Sequence, residues 1–438
     1  MANLRPRKSL SAKGLLALVR QGFDQLSDSK HTRGISLSDI LMSGLAVFGL
    51  KYPSLLQFDR GREDPTLTHN LRSLYGIDRV PSDTYLRERL DEVEPQEAFR
   101  KIYKQLFAAL QRGKALEDFR VLDQYYLLSV DGTGVFSSEQ VHCDQCCEKR
   151  HRDGRVTYYH QLLGAVIVHP SHREVIPLMP EPIMKGDGEK KNDCERNASK
   201  RLLNRVRTDH PHLSLLVVED GLSSNGPHIR LLKSLNMRYL LGAKPKDHVF
   251  LYDWVDKSKT TCQIELKEAS GTIHRFRYLN GVPLNDSHFD VEVNFLEYVE
   301  QLPNGKTKRF CWVTDIEISE DNLMGLMRSG RARWKIENET FNTLKNQGYH
   351  LEHNFGHGYQ HLSTVLMHLM MLAFLIDQIQ QRCCAIVKQG QQKMGSRYGF
   401  WQKVRVLFGA YRIHSWEDLY LSIAYGQQSA DLQPQPPP

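Results

Sequence analysis

Two apolar runs in this 438-residue chain end in an aspartate, and they constrain its fold more than any other feature. Tyr125–Val130 (YYLLSV) runs into Asp131 and the phrase DGTG; Leu213–Val218 runs through Glu219 into Asp220 and DGLSSNG. Short apolar runs bounded by Gly- and Asp-rich phrases read as buried strands. DGTG is therefore expected to be a tight turn closing the first of them. A third acid, Glu337, sits in a helical stretch, Arg331–Lys345 (RARWKIENETFNTLK). Two strand-end aspartates and a helix-borne glutamate can converge on one edge of a sheet. Such a cluster repels itself unless it holds hard cations such as Mg²⁺ or Mn²⁺. Two of these cations can clamp an in-line phosphoryl displacement. The alternative for each acid is an ordinary surface or cap carboxylate.

The chain has room for about two or three domains, and 40% hydrophobic with 25% charged residues is ordinary for a globular protein. The net charge of +7 is unevenly spread. The N-terminal stretch MANLRPRKSLSAKGLLALVRQ has no acid before Asp24, and its Arg5, Arg7, Lys8 and Lys13 make a basic arm suited to a polyanion, DNA above all. A solubilising terminus is the other reading. No apolar core with a small-residue cleavage site opens the chain, so no secretory signal and a cytoplasmic location are expected. Leu362–Ile379 is only about long enough to span a bilayer and carries His368 and Asp377, so a buried helix and no membrane are expected. Eight cysteines without an export signal read as reduced thiols or metal ligands.

Up to about Asp123 the pattern is helical. Ser36 is a good N-cap for Leu37–Phe48, Pro81 and Ser82 mark another helix start, and Glu97–Leu110 is amphipathic. Arg87 and Arg89, just past that start, are expected to face outward, as in a helix-turn-helix whose helix N-terminus contacts DNA; a plain helical bundle accounts for the pattern as well. From Tyr125 strand-like runs (Tyr125–Val130, His160–Val168, Glu174–Leu178, Leu213–Val218, Tyr239–Leu241) alternate with a helix at Asn192–Arg207, which implies a mixed sheet covered by helices. Residues of about 247–317 turn β-rich (FLYDW, CQIEL, IHRFRYL, FDVEVNFLEYVE, RFCWVTD), with Asn304-Gly305 as a hairpin signal. Helices follow, then a Pro-rich tail, SADLQPQPPP.

On a regular helix with Trp334 at zero, Glu337 falls about 60° round, between Phe341 at about 20° and Leu344 at about 80°. That puts Glu337 on the inward stripe, where burial is costly without a cation or donor. Glu339, about 160° from Phe341, is the solvated carboxylate. Arg333 shares the face of Glu337 one turn earlier. Separately, Cys143-x-x-Cys146 has the spacing of a zinc half-site. His151 is the ligand expected to join it, with His142, Cys147 and Cys194 as further candidates; a loop of reduced cysteines is the alternative.

The phrases DGTG, VVEDGLSSNG and RWKIENETFNTLK, with YYHQLLGAVIVHP, KKNDCERNA and GYHLEHNFGHG, resemble the DDE transposases of bacterial insertion sequences. They are most similar to the branch whose RNase H-like domain carries a β-rich insertion before the glutamate helix. The resemblance spans about Leu122 to Gly358 and implies an α/β fold: an RNase H-like mixed-sheet catalytic core at 123–358 with the insertion at about 247–317. A helical DNA-binding region at 1–122, C-terminal helices at 359–430 and the tail at 431–438 flank it. It implies metal-binding roles for Asp131, Asp220 and Glu337. It also implies a spaced tyrosine, arginine, glutamate and lysine set around the helix. Arg333 and Glu337 fit; the tyrosine position is Gly330, and the lysine position is Leu344 with Lys345 one residue on. Arg333 and Lys345 are then DNA-phosphate contacts, the partners are element-end and target DNA, and a homodimer on paired ends is the implied assembly. A metal-dependent nuclease of the same fold, and a domesticated DNA-binding protein without catalysis, remain alternatives.

Overall fold

The computed structural model describes residues 7–28, 34–188, 191–426 and 432–434. Arg5 and most of the Pro-rich tail lie outside them. The first part is helical: Ala12–Phe23, Leu37–Gly49, Leu55–Arg60, Pro65–Asn70, Asp83–Asp91 and Pro95–Arg112. The helix starts follow from capping chemistry. Ser36 accepts the N–H of Asp39 and Ser82 that of Tyr85, each relieving an orphan donor of the first turn.

The strands are β1 Arg120–Val121, β2 Tyr125–Ser138, β3 Cys147–Arg150, β4 Val156–Val168, β5 Ile176–Pro177, β6 Glu181–Ile183, β7 Leu215–Glu219 and β8 Arg238–Gly242, followed by β9 Cys262–Lys267, β10 Ile273–Pro283, β11 Glu292–Gln301 and β12 Thr307–Thr314. They form one sheet along the path β3-β4-β2-β7-β8-β12-β11-β10-β9, with β1 on β2 and both β5 and β6 on β4. β4 runs antiparallel to β2, whereas β7 runs parallel to β2 and β8 parallel to β7. Helix Lys191–Asp209 precedes β7 and helix Gly226–Ser234 joins β7 to β8. This is the strand order of an RNase H-like core with helical flanks. β7 is buried along its whole length, as expected for a parallel strand covered on both faces.

The β-rich block prolongs this sheet, because β12 pairs antiparallel with β8. The Asn304-Gly305 hairpin is present, with Gly305 at φ 79° between β11 and β12. FLYDW, expected as a strand, lies instead in helix Val249–Lys257. Leu251, Tyr252 and Val255 are its buried residues, a helical spacing that a short run hides.

DGTG is not a turn. It lies inside β2, where Asp131 pairs with Gly164, Gly132 with Leu163 and Gly134 with Gln161, and the register shifts only between Gly134 and Phe136. Gly132 serves close approach rather than chain reversal. A Cβ on Gly132 would stand 3.4 Å from the Glu195 carboxyl group.

The apolar helix Leu362–Cys383 is long and apolar enough to cross a membrane, yet 89% of its most apolar window is buried inside the chain. It packs on Leu37–Gly49 and Asp83–Asp91, so the N- and C-terminal helices share one core. Three of its buried polar residues take partners from other parts of the chain. Gln378 accepts the N–H of Val175 at 3.0 Å, Gln380 donates to the Leu10 carbonyl at 2.8 Å, and Asp377 meets Lys51 at 2.6 Å. Asp91 receives the N–H groups of Tyr359, Gln360, His361 and Leu362 at 2.8–2.9 Å, so it caps this helix from another one. Burial works to raise the Asp91 carboxyl, but these four donors hold it below its usual range.

Candidate active site

β2 and β7 are in register from Tyr126↔Leu215 to Ser129↔Val218. Asp131 lies two residues beyond Ser129, and Asp220 two residues beyond Val218. Alternation along a strand puts Asp131 on the face of Ser129, and Asp220 follows directly on the end of the adjacent strand, β7. Glu219 points the other way and is buried against His228 at 2.6 Å. Burial opposes charging of His228, but Glu219 prevails and raises it. Glu219 is therefore committed to an ion pair. The Asp220 side chain is exposed and accepts the N–H of Leu222 at 2.9 Å.

The glutamate segment crosses that face of the sheet. Ser129 Oγ donates to the Arg333 carbonyl at 3.1 Å. One Arg333 nitrogen stands 2.8 Å from Glu337 Oε1 and 3.4 Å from Asp131 Oδ2. Burial pushes the Asp131 carboxyl up, Arg333 pulls it back, and Glu337 repels it and shares a hydrogen bond; the result is about 7. Two carboxylates are thus held together around one positive charge.

The segment is not a regular α-helix. It passes from a 3₁₀ turn, Ala332–Trp334, through a π-helical turn, Ile336–Phe341, to α-helix at Asn342–Asn346. Such π turns often occur at functional sites. A uniform rotation of about 100° per residue therefore misplaces its residues. Trp334, used as the inward reference, is 49% exposed, while Ile336, Thr340, Phe341 and Leu344 are buried. The Glu337 side chain is 36% exposed. Glu339, expected to be solvated, is only 21% exposed and pairs with Arg397 at 3.2 Å and Arg173 at 3.4 Å. The segment departs from the regular helix that placed Glu337 inward, yet Glu337 is the acid that stands at Asp131.

The missing tyrosine has a steric cause: any Cβ on Gly330 would overlap the indole of Trp312 on β12. Leu344 is fully buried, and Lys345 beside it pairs with Glu352 at 2.8 Å. Arg333 is held between two acids with its side chain 13% exposed. Arg89 does not face outward. It is buried and pairs with Asp28 at 2.7 Å and Glu92 at 3.1 Å. Arg87 is tied to Asp83 at 3.0 Å and to the Phe355 carbonyl at 3.2 Å. Arg89 therefore serves helix packing, whereas the Arg87 side chain stays 37% exposed. Sequence reasoning overlooked Lys244, an exposed residue just past β8 whose chain passes 3.6 Å from where a Cβ on Gly221 would lie, beside Asp220. The phrase GAKPK after a strand was the available signal.

His151 does not join the cysteines; its Nε2 is bonded to Thr157 at 2.8 Å. Cys147 donates to the Ile183 carbonyl and Cys194 to the Gly188 carbonyl. Cys143 and Cys146 instead meet His160 of β4 and His357 of the FGHG phrase.

Comparison with known proteins gives one kind of match. No family model and no curated protein sequence matches the chain. Among solved structures, a cryo-EM structure of a piggyBac transposase synaptic complex with hairpin DNA aligns with 95% of this chain and 78% of its own, at 9% identity and a TM-score of 0.40.

The raised Asp131 carboxyl makes a stability prediction. Its folded value of about 7 lies above that of a free aspartate, which is about 4. The stabilisation is complete below about pH 4 and is lost as pH rises through about 7. Asp131→Asn removes this loss. Its melting temperature should exceed the parent's by a margin that grows above pH 4 and levels off past pH 7, without divalent ions. Mg²⁺ should then stabilise the parent and leave the variant unmoved. Parallel pH profiles for the two proteins would show that Asp131 carries no such burden.

Proposed function

We propose that this chain is a DNA transposase of the DDE kind, which cuts the ends of an insertion sequence and joins the freed 3′-OH to target DNA. The observation that carries this reading is the placement of Asp131 and Glu337 around Arg333 at the edge where β7 runs out into Asp220. A donor set of carboxylate oxygens suits Mg²⁺ or Mn²⁺ rather than a soft metal. Asp131, Asp220 and Glu337 would hold it. When bound, such ions activate the attacking oxygen and stabilise the departing one.

The chain's own residues do the rest. Arg333 keeps the two close carboxylates from repelling each other before the cation arrives. Ser129 anchors the glutamate segment to the sheet through the Arg333 carbonyl. The Leu222 N–H restrains Asp220. Lys149 and Arg150 on β3 and Lys244 and Lys246 past β8 are exposed, and would take DNA phosphates. The basic arm with Arg7, Lys8 and Lys13 would add affinity for any sequence. DNA is the partner we infer, with a homodimer on paired ends, acting in the cytoplasm and not at a membrane.

The test is incubation of the purified chain with element-end DNA and a target plasmid in Mg²⁺. Cuts at the element end and its covalent joining to the plasmid are expected. Cuts without joining would make the protein a nuclease of this fold. Binding without any cut would make it a DNA-binding protein that has lost catalysis.

A further inference from the structure

Four side chains from three separate parts of the chain bring one ligand atom each to a common point. Cys143 and Cys146 come from the loop between β2 and β3, His160 from β4, and His357 from the segment leading to Leu362–Cys383. The Cys143 and Cys146 sulfurs are 3.7 Å apart. His160 Nε2 is 3.4 Å from each sulfur and 3.3 Å from His357 Nδ1, and Cys146 Sγ is 3.6 Å from that same Nδ1.

These five distances match five of the six edges of a coordination tetrahedron, and all four ligand atoms lie within 4.8 Å of one another. Zinc bonds of about 2.3 Å to sulfur and about 2.0–2.1 Å to nitrogen require separations of about 3.8 Å between sulfurs, about 3.5 Å between sulfur and nitrogen and about 3.3 Å between nitrogens. A disulfide would need the sulfurs at about 2.05 Å. Hydrogen bonding does not account for the arrangement either. Three ligand atoms crowd the single Nε2 of His160, which can donate to or accept from one of them well. A cation at the centre satisfies all four at once.

We propose that Cys143, Cys146, His160 and His357 form a structural Cys₂His₂ zinc site. Two thiolates neutralise the dication, which suits the buried setting of Cys146 and His160. Soft sulfur with imidazole selects zinc over the hard cations suited to the carboxylates. The Cys143 N–H approaches Cys146 Sγ at 3.4 Å, and the Cys146 N–H donates to the Cys143 carbonyl at 3.1 Å. The first points a donor at a metal-binding sulfur; the second closes the Cys-x-x-Cys turn. Four protein ligands leave no open position, so the ion holds structure. It ties the loop after β2 and the exit of the glutamate segment to β4. The zinc site shares no residue with the acid cluster, so loss of one is distinguishable from loss of the other.

The experiment uses the full chain purified without chelator. Elemental analysis should find about one zinc per chain, and Co²⁺ exchanged into the site should show the thiolate charge-transfer and d–d bands of a tetrahedral centre. Cys146→Ser and His357→Ala should each lose most of the metal, while His151→Ala keeps it. Chelation should lower the melting temperature of the parent. Metal-free parent protein after supply of zinc, a cobalt spectrum without thiolate bands, or retention of zinc by His357→Ala would each overturn the proposal. The cobalt spectrum of the parent decides the matter even where a variant fails to fold.

Discussion

Asp131→Asn, Asp220→Asn and Glu337→Gln should each lower Mg²⁺-dependent DNA cleavage by more than about 100-fold, since even outer-shell partners of a metal typically cost about 10- to 100-fold. DNA binding should persist in all three, because each substitution keeps its side chain's shape and removes one negative charge. The Asp131 and Glu337 variants should not add on combination, since both serve one site around Arg333. Glu339→Gln is the control. Its carboxylate is engaged with Arg397 and Arg173 on another side of the segment, so it should cost stability and spare the chemistry. Cleavage near the parental rate by any of the three variants would remove that residue from the site.

The largest effect on stability is expected at Lys51. Its ammonium is buried, 2.6 Å from Asp377 and over the rings of Tyr349 and Trp401 at 4.0 and 4.5 Å. It also donates to the carbonyls of Phe48 and Gly49. Tyr349 donates its hydroxyl to Asp377 as well. Burial lowers the Lys51 ammonium and raises the Asp377 carboxyl, so each charge depends on the other. Lys51→Met leaves Asp377 buried without its cation and should cost about 3–5 kcal/mol. Lys51→Met with Asp377→Leu should recover much of that loss, because two apolar groups need no partner. Chemical denaturation of the full chain measures both. A single variant costing under about 1 kcal/mol, the ordinary size of a point substitution, would show that water reaches the pair.

What sequence made legible was local. Apolar runs marked β2, β4 and β7, serines marked helix starts, and Asn304-Gly305 marked a hairpin. Asp131, Asp220 and Glu337 stood out because their contexts are unusual at short range. The rest depends on contacts distant in sequence. DGTG carries the residues of a turn, but the partner strand β4 holds it extended. FLYDW is too short a run for its helical spacing to declare itself. The π turn at Ile336–Phe341 has no signature in a uniform helical wheel. His142, Cys147, His151 and Cys194 were the candidates because they follow or adjoin the cysteines along the chain, whereas β4 brings His160 and the FGHG segment brings His357 to them. The outward reading of Arg89 missed Asp28 for the same reason.

Gly164 lies opposite Asp131 on β4, and a methyl group there would stand 3.2 Å from the Phe341 ring, inside the carbon–carbon contact distance of about 3.5–4.0 Å. The gap between the sheet and the glutamate segment is therefore gauged by a residue that offers no side chain. The spacing of Asp131 and Glu337 is thus set by packing as well as by charge: an alanine at this position would lift the segment off the sheet and widen the gap between the two carboxylates.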